Sequence, residues 1–197
     1  FCERKDVWQF IGFKHVNGPQ AWESYAKGEY VAWVHNKLKV PLEEIARRIG
    51  DEHATVLRLY RCLMILQQAE EKKVFDRNDR WKKHFSFSHL YTGLNYKGFQ
   101  DYLGVDNDAL EREEPVPKSK LKNLGNLCTW LYGSKSRNKE PIVQSQNPDL
   151  RILEETLQSA PGRLALEQGL PLKVSLEIGR GDDRTFREAL VSAKQAL

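Results

Sequence analysis

PLEEIARRIGDEHATVLRLYRCLMIL, Pro41–Leu66, is the stretch on which the fold turns. A proline at the first turn, where a missing N–H costs nothing, opens a short helix. Ala46 and Gly50, four residues apart, then supply what a tight helix–helix corner needs. These are a small residue inside the first helix and a glycine free to take the left-handed backbone conformation. Ile45 and Ile49 before the corner, with Val56 and Leu59 after it, form the expected core between the two helices. The pattern predicts a helix-turn-helix, with a plain helical hairpin as the alternative.

In a helix-turn-helix the second helix begins near Glu52 or His53 and offers its first turns to a major groove. The side chains there that packing does not require are His53, Ala54, Thr55, Leu57, Arg58 and Arg61. Arginine can pair bidentately with guanine, and threonine can reach a base edge or methyl. Arg47 and Arg48 lie on the preceding helix, where phosphate contacts are expected. The alternative for Arg58 and Arg61 is a solvated helix face.

Working outward, residues 20–103 read as helical. Trp22, Tyr25, Ala26, Tyr30, Trp33, Val34 and Leu38 recur at helical steps and predict one apolar face. Upstream, VWQFIGFKHV is rich in β-formers and ends at Asn17-Gly18-Pro19, a turn signal. It reads as the last strand of a preceding domain, of which residues 1–18 are a remnant. The first residue is Phe1, so a preceding segment is expected. Downstream, VDNDALEREEPVPKSK is polar, with two prolines, and predicts a linker at 106–118 between a helix-turn-helix domain (19–105) and a C-terminal helical region (119–197). That region holds a helix near Lys120–Tyr132 and one announced by Asn147-Pro148-Asp149 through about Gln158. Short helices near 161–168 and 171–178 come next, then a last helix from Asp182 or Asp183 with Phe186, Leu190, Val191, Ala193 and Leu197 on its apolar side. GRGDD (179–183) ends one helix at Gly179 and caps the next. The expected fold is mainly α, a helical bundle containing a helix-turn-helix.

Two further stretches carry charge. NDRWKKHFSFSHLYTGLNYKG interleaves Arg80, Lys82, Lys83 and His84 with Trp81, Phe85, Phe87 and Tyr91, which suits phosphate contact or base stacking as well as core packing with a basic rim. Lys118 to Lys139 holds six Lys/Arg and no acid. Its loop GSKSRNK could track a phosphate backbone through Lys135, Arg137 and backbone amides, or simply be solvated.

The 197 residues, 40% hydrophobic and 29% charged, suit an ordinary globular protein with a net charge of +4. There is no apolar run of membrane-spanning length, and no signal peptide opens the chain. Cys2, Cys62 and Cys128 form no disulfide framework or zinc spacing, so free thiols in a reducing cytoplasm are expected. His84 and His89 lack metal-site spacing. No nucleotide loop or nucleophile motif is present, so no catalytic residue, metal or cofactor is expected.

PLEEIARRIGDEHATVLRLYRCLMILQQAEE, preceded by GPQAWESYAKGEYVAWVHNKL, resembles the central helix-turn-helix of ParB-like partition proteins, with their "slEEIAxriG…tVxrly" pattern. FSFSHLYTGLNYKGFQDYLGV (85–105) is similar to the segment after the helix-turn-helix in ParB-like bacterial proteins described as nucleases. The resemblance covers about residues 20–72 well. It implies sequence-reading of double-stranded DNA by a bacterial protein, a homodimer, and an N-terminal ParB/sulfiredoxin-like domain ahead of this segment. That domain's "G-x-R-R" motif is not in this chain, so CTP hydrolysis and DNA cleavage do not carry over. Two other readings stand beside it: a DNA-positioning part of a nuclease or nucleotide hydrolase, and a helical scaffold for protein contacts.

Overall fold

A computed structural model describes residues 7–17, 22–51, 54–106 and 112–181. Cys2, Glu52, His53, Asp182, Asp183 and the expected last helix lie outside them. The chain is mainly helical, as its periodicity predicts, with no strand among the described residues.

The expected strand at 7–16 is instead helix: α1, Trp8–Gly12, continues as a π-helical turn, Phe13–Asn17. Its buried residues explain this. Trp8, Gly12 and Val16 stand four apart, which is a helical period and not an alternating one. Gly12 lies so close to Ile49 that an added Cβ would sit 2.7 Å from its Cγ2. The Tyr30 hydroxyl donates to the Trp8 carbonyl at 2.6 Å.

Helix α2, Ser24–Leu38, buries Gly28, Val31, Ala32 and Val34. The predicted face is therefore rotated: Trp33 is 42% exposed, and Trp22 precedes the helix, stacked on His15. The buried face of α2 packs on α4, where a Cβ added at Gly28 would stand 3.5 Å from the Leu59 carbonyl oxygen and 3.7 Å from the Leu63 Cβ, ordinary van der Waals distances. Helices α3, Leu42–Arg48, and α4, Thr55–Glu71, complete a three-helix unit with α2. From Leu59 to Leu66 only Arg61 is not buried, so α4 is the central post of the molecule.

Helix α5, Phe87–Gly93, packs beside α2 and α4, and α6, Lys97–Leu103, comes next. The second half of the polar connector lies against the core: Pro115 and Val116 are buried. After it come α7, Leu121–Tyr132, α8, Asp149–Gln158, α9, Ala160–Glu167, and α10 at 172–181. Pro148 flanks α8 rather than opening it, and no side chain caps that end. The Asp149 carboxylate instead accepts from the amides of Gln144 and Ser145, both at 2.9 Å. Helix α10 runs through Gly179, where a helix end was expected, because Gly179 packs against Ser159. One hydrophobic cluster runs from Trp8 through α4 and α7 to Leu172. Within it Cys62 and Cys128 are buried free thiols, and burial pushes both up, Cys128 to about 12. No helix among the described residues is long and apolar enough to cross a membrane.

Candidate nucleic-acid interface

The corner between α3 and α4 is built on Gly50, whose φ of +69° is the left-handed conformation the sequence demands there. Around it, the Asp51 amide donates to the Ala46 carbonyl at 2.9 Å. Helix α3 ends at Arg48 and α4 is described from Thr55, with residues 52 and 53 outside the described residues. Ala54 also has a positive φ and offers no cap; Asp51 supplies one, its carboxylate accepting from the Val56 amide at 2.7 Å. Ile45, Ile49, Val56 and Leu59 are all buried, as the corner's core requires.

Arg47 and Arg48 both bind the Glu44 carboxylate, and the hydrogen bond from Arg47 is the main cause of that carboxyl's lowered pKa. The Arg47 side chain is nevertheless 74% exposed. Arg48 lies 5.7 Å from the centre of the Trp8 ring. On α4, Arg58 is half-buried with its guanidinium 5.2 Å from the Tyr91 ring centroid. Thr55 lies close to the same tyrosine, and Arg61 is half-buried. The structure thus gathers Arg47, Arg48, Thr55, Arg58 and Arg61 onto the two helices of the corner. It adds Tyr91 of α5, which the sequence placed only in an aromatic run. His53 falls outside the described residues.

The second cluster is elsewhere on the surface and is held together by Asp79. This residue ends a short 3-10 turn, Arg77–Asp79. Its carbonyl accepts from the Lys135 amide at 2.8 Å, and its carboxylate accepts from the Ser136 amide and hydroxyl, both at 2.8 Å, and from the Ser134 hydroxyl. Those donors, the Ser134 bond foremost, hold the Asp79 carboxyl below its ordinary value. The Ser136 amide, expected to face phosphate, is therefore already engaged. Arg137 braces the loop too, donating from Nε to Ser134 and from Nη2 to Thr129, each at 3.1 Å. Lys82, Lys83, Lys135 and Lys139 are exposed. Among the described residues no group of three His, Cys, Asp or Glu is placed to hold a metal ion.

No family model matches the chain, so the partition-protein resemblance of residues 20–72 finds no support there. No solved structure matches it either. Over 172 residues, 82% of this chain, it is 26% identical to the telomere-binding protein cav of Drosophila yakuba. The aligned part is 53% of that protein, so the chain spans about half the length of the curated relative it matches. A mainly helical chain with two basic surface clusters is thus distantly similar to a telomere-binding protein.

Proposed function

We propose that this chain binds double-stranded DNA through the α3–α4 corner, as one module of a chromosome-end protein. The observation that carries the reading is the Gly50 corner, which presents Thr55 and Arg58 at the first turns of α4 beside Arg47 and Arg48 of α3. That is the placement a major-groove reader uses, with the second helix contributing base contacts and the first phosphate contacts. The distant telomere-binding relative is consistent with it. In this reading residues 19–105 carry the corner and 119–197 brace it. The partition-type helix-turn-helix is then a likeness of local architecture, and a bacterial origin is not part of the proposal. A single corner reads a half-site weakly, so the DNA-bound form is expected to be a dimer. The reducing compartment implied by the cysteines is then the one that holds the chromosomes.

The test is duplex binding across a salt series, comparing a chromosome-end repeat with a scrambled duplex of equal length. Binding that weakens with salt and favours one sequence supports the corner as reader. Absence of duplex binding favours the scaffold reading, for which the exposed Phe10 and Phe13 speak.

A further inference from the structure

Apart from the corner, two segments distant in sequence are brought side by side. Residues 80–84 contribute Arg80, Lys82 and Lys83; residues 133–139 contribute Lys135, Arg137 and Lys139; neither segment contains an acid. Their junction is specific. The Trp81 amide donates to the Tyr132 carbonyl at 2.9 Å, and Asp79 takes donors from Ser134, Lys135 and Ser136 of the second loop. The loop closes on itself through Ser134 and Lys139, which exchange backbone hydrogen bonds of 2.7 and 2.9 Å. Gly133 permits this closure. Its φ is +71°, and an added Cβ would stand 2.6 Å from the Lys139 carbonyl oxygen and 2.7 Å from the Trp81 Cβ.

The acid at the centre of a basic cluster spends its carboxylate on the donors of the facing loop. Its hydrogen bonds to Ser134 and Ser136 span 55 and 57 residues. With the Asp79-facing donors consumed, exposed lysine ammonium groups are what the surface offers outward, that of Lys82 also donating to the Gln144 side chain. Lysine is a point charge without the planar fork that reads bases, so it suits phosphate.

Resting on the DNA-binding reading of this chain, we infer that residues 80–84 and 133–139 form one platform for the phosphate backbone of duplex DNA, blind to sequence, and that Asp79 is its positioning residue. Asp79 touches no DNA in this arrangement. It holds Lys135 and Lys139 at a fixed place relative to Lys82 and Lys83, so the ordering cost of the loop is met before binding.

The expected effect is opposite in sign to simple electrostatics. Removing an acid from a DNA-binding surface should strengthen binding; Asp79→Ala is expected to weaken it roughly tenfold and to flatten the salt dependence. Binding is measured on the full chain by fluorescence anisotropy with a short duplex of arbitrary sequence over a salt series. Ser134→Ala combined with Ser136→Ala changes no charge and is expected to act in the same direction. This pair also decides the matter if Asp79→Ala melts in the thermal unfolding control. Lys135→Ala with Lys139→Ala should lower the slope of log affinity against log salt by about 1.8, two contacts at about 0.9 each, and by much less in the Asp79→Ala background.

Equal or tighter binding by Asp79→Ala and by the serine pair overturns the positioning role. An unchanged slope in the lysine pair overturns the platform while leaving the corner intact. Wild-type protein that binds no duplex removes the DNA-binding reading itself.

Discussion

The side chain of Gln68, in the last turn of α4, makes two hydrogen bonds to the backbone of Val116: its Nε2 donates to the carbonyl at 2.7 Å and its Oε1 accepts from the amide at 2.8 Å. Both residues are buried, so this amide pairs backbone groups that water cannot reach. A stretch whose prolines and charges predict a free linker is thereby tied to the centre of the core.

Gln68→Leu should cost roughly 2–4 kcal/mol, since it leaves a buried N–H and a buried C=O unpaired. Urea denaturation monitored by circular dichroism gives the number. A wild-type midpoint would show that Val116 does not depend on this bond.

At the corner, a Cβ added on Gly50 meets nothing within 4 Å, so the cost of substitution there is one of backbone conformation. Gly50→Val should destabilise by about 1–2 kcal/mol, and Gly50→Asn by clearly less, because asparagine tolerates a positive φ. Equal melting temperatures for the two variants would contradict a backbone origin.

Arg58 rests on Tyr91, which orients the guanidinium before any partner arrives. Arg58→Ala should weaken the preferred duplex by about 1–3 kcal/mol and a scrambled duplex by much less. Equal losses on both would make Arg58 a phosphate contact and move sequence reading to Thr55 or Arg61.

His89 is buried on α5, and its Nδ1 has no hydrogen-bond partner. Burial, with Lys82 next in effect, holds its pKa below the ordinary 6.5. The unfolded chain therefore binds a proton that the folded one resists. The stability His89 contributes is complete above about pH 6.5 and is lost as pH falls through its lower folded pKa. Melting temperature should decline over that window in wild type, and less steeply in His89→Gln. Parallel curves for the two proteins would assign the decline to other groups.

Asp79 has the matching sign. Its carboxyl is held below the ordinary 3.8, so the contact with Ser134 and Ser136 is present at neutral pH and released only as pH falls through that depressed value. Exchange of the Ser136 amide should stay slow through the ordinary carboxylate value of 3.8 and speed up only below it, beyond the intrinsic pH trend. Fast exchange at neutral pH would deny the contact.

Much of the architecture is local and so was legible. Helix periods, the small-residue spacing of Ala46 and Gly50, and the apolar quartet around them depend on neighbours within a turn or two. The strand expected at 7–16 shows the limit of that logic. A short run of aromatic and β-branched residues fits either period, and contact with Ile49 and Tyr30 selects the helical one. Trp33 shows the same limit: whether an aromatic on an amphipathic helix faces in or out depends on which side the next helix packs against.

By itself the sequence determined that the chain is helical, that a turn stands at Gly50, and that basic residues collect on the corner and in the loop after α7. Only the tertiary structure decided what those side chains meet. Tyr91 reaches Thr55 and Arg58 from a separate helix, and Asp79 meets Ser134 and Ser136 across 55 and 57 residues. Such contacts leave no periodic trace in the chain, because nothing in a residue's local neighbourhood records a partner that packing of the whole core brings to it.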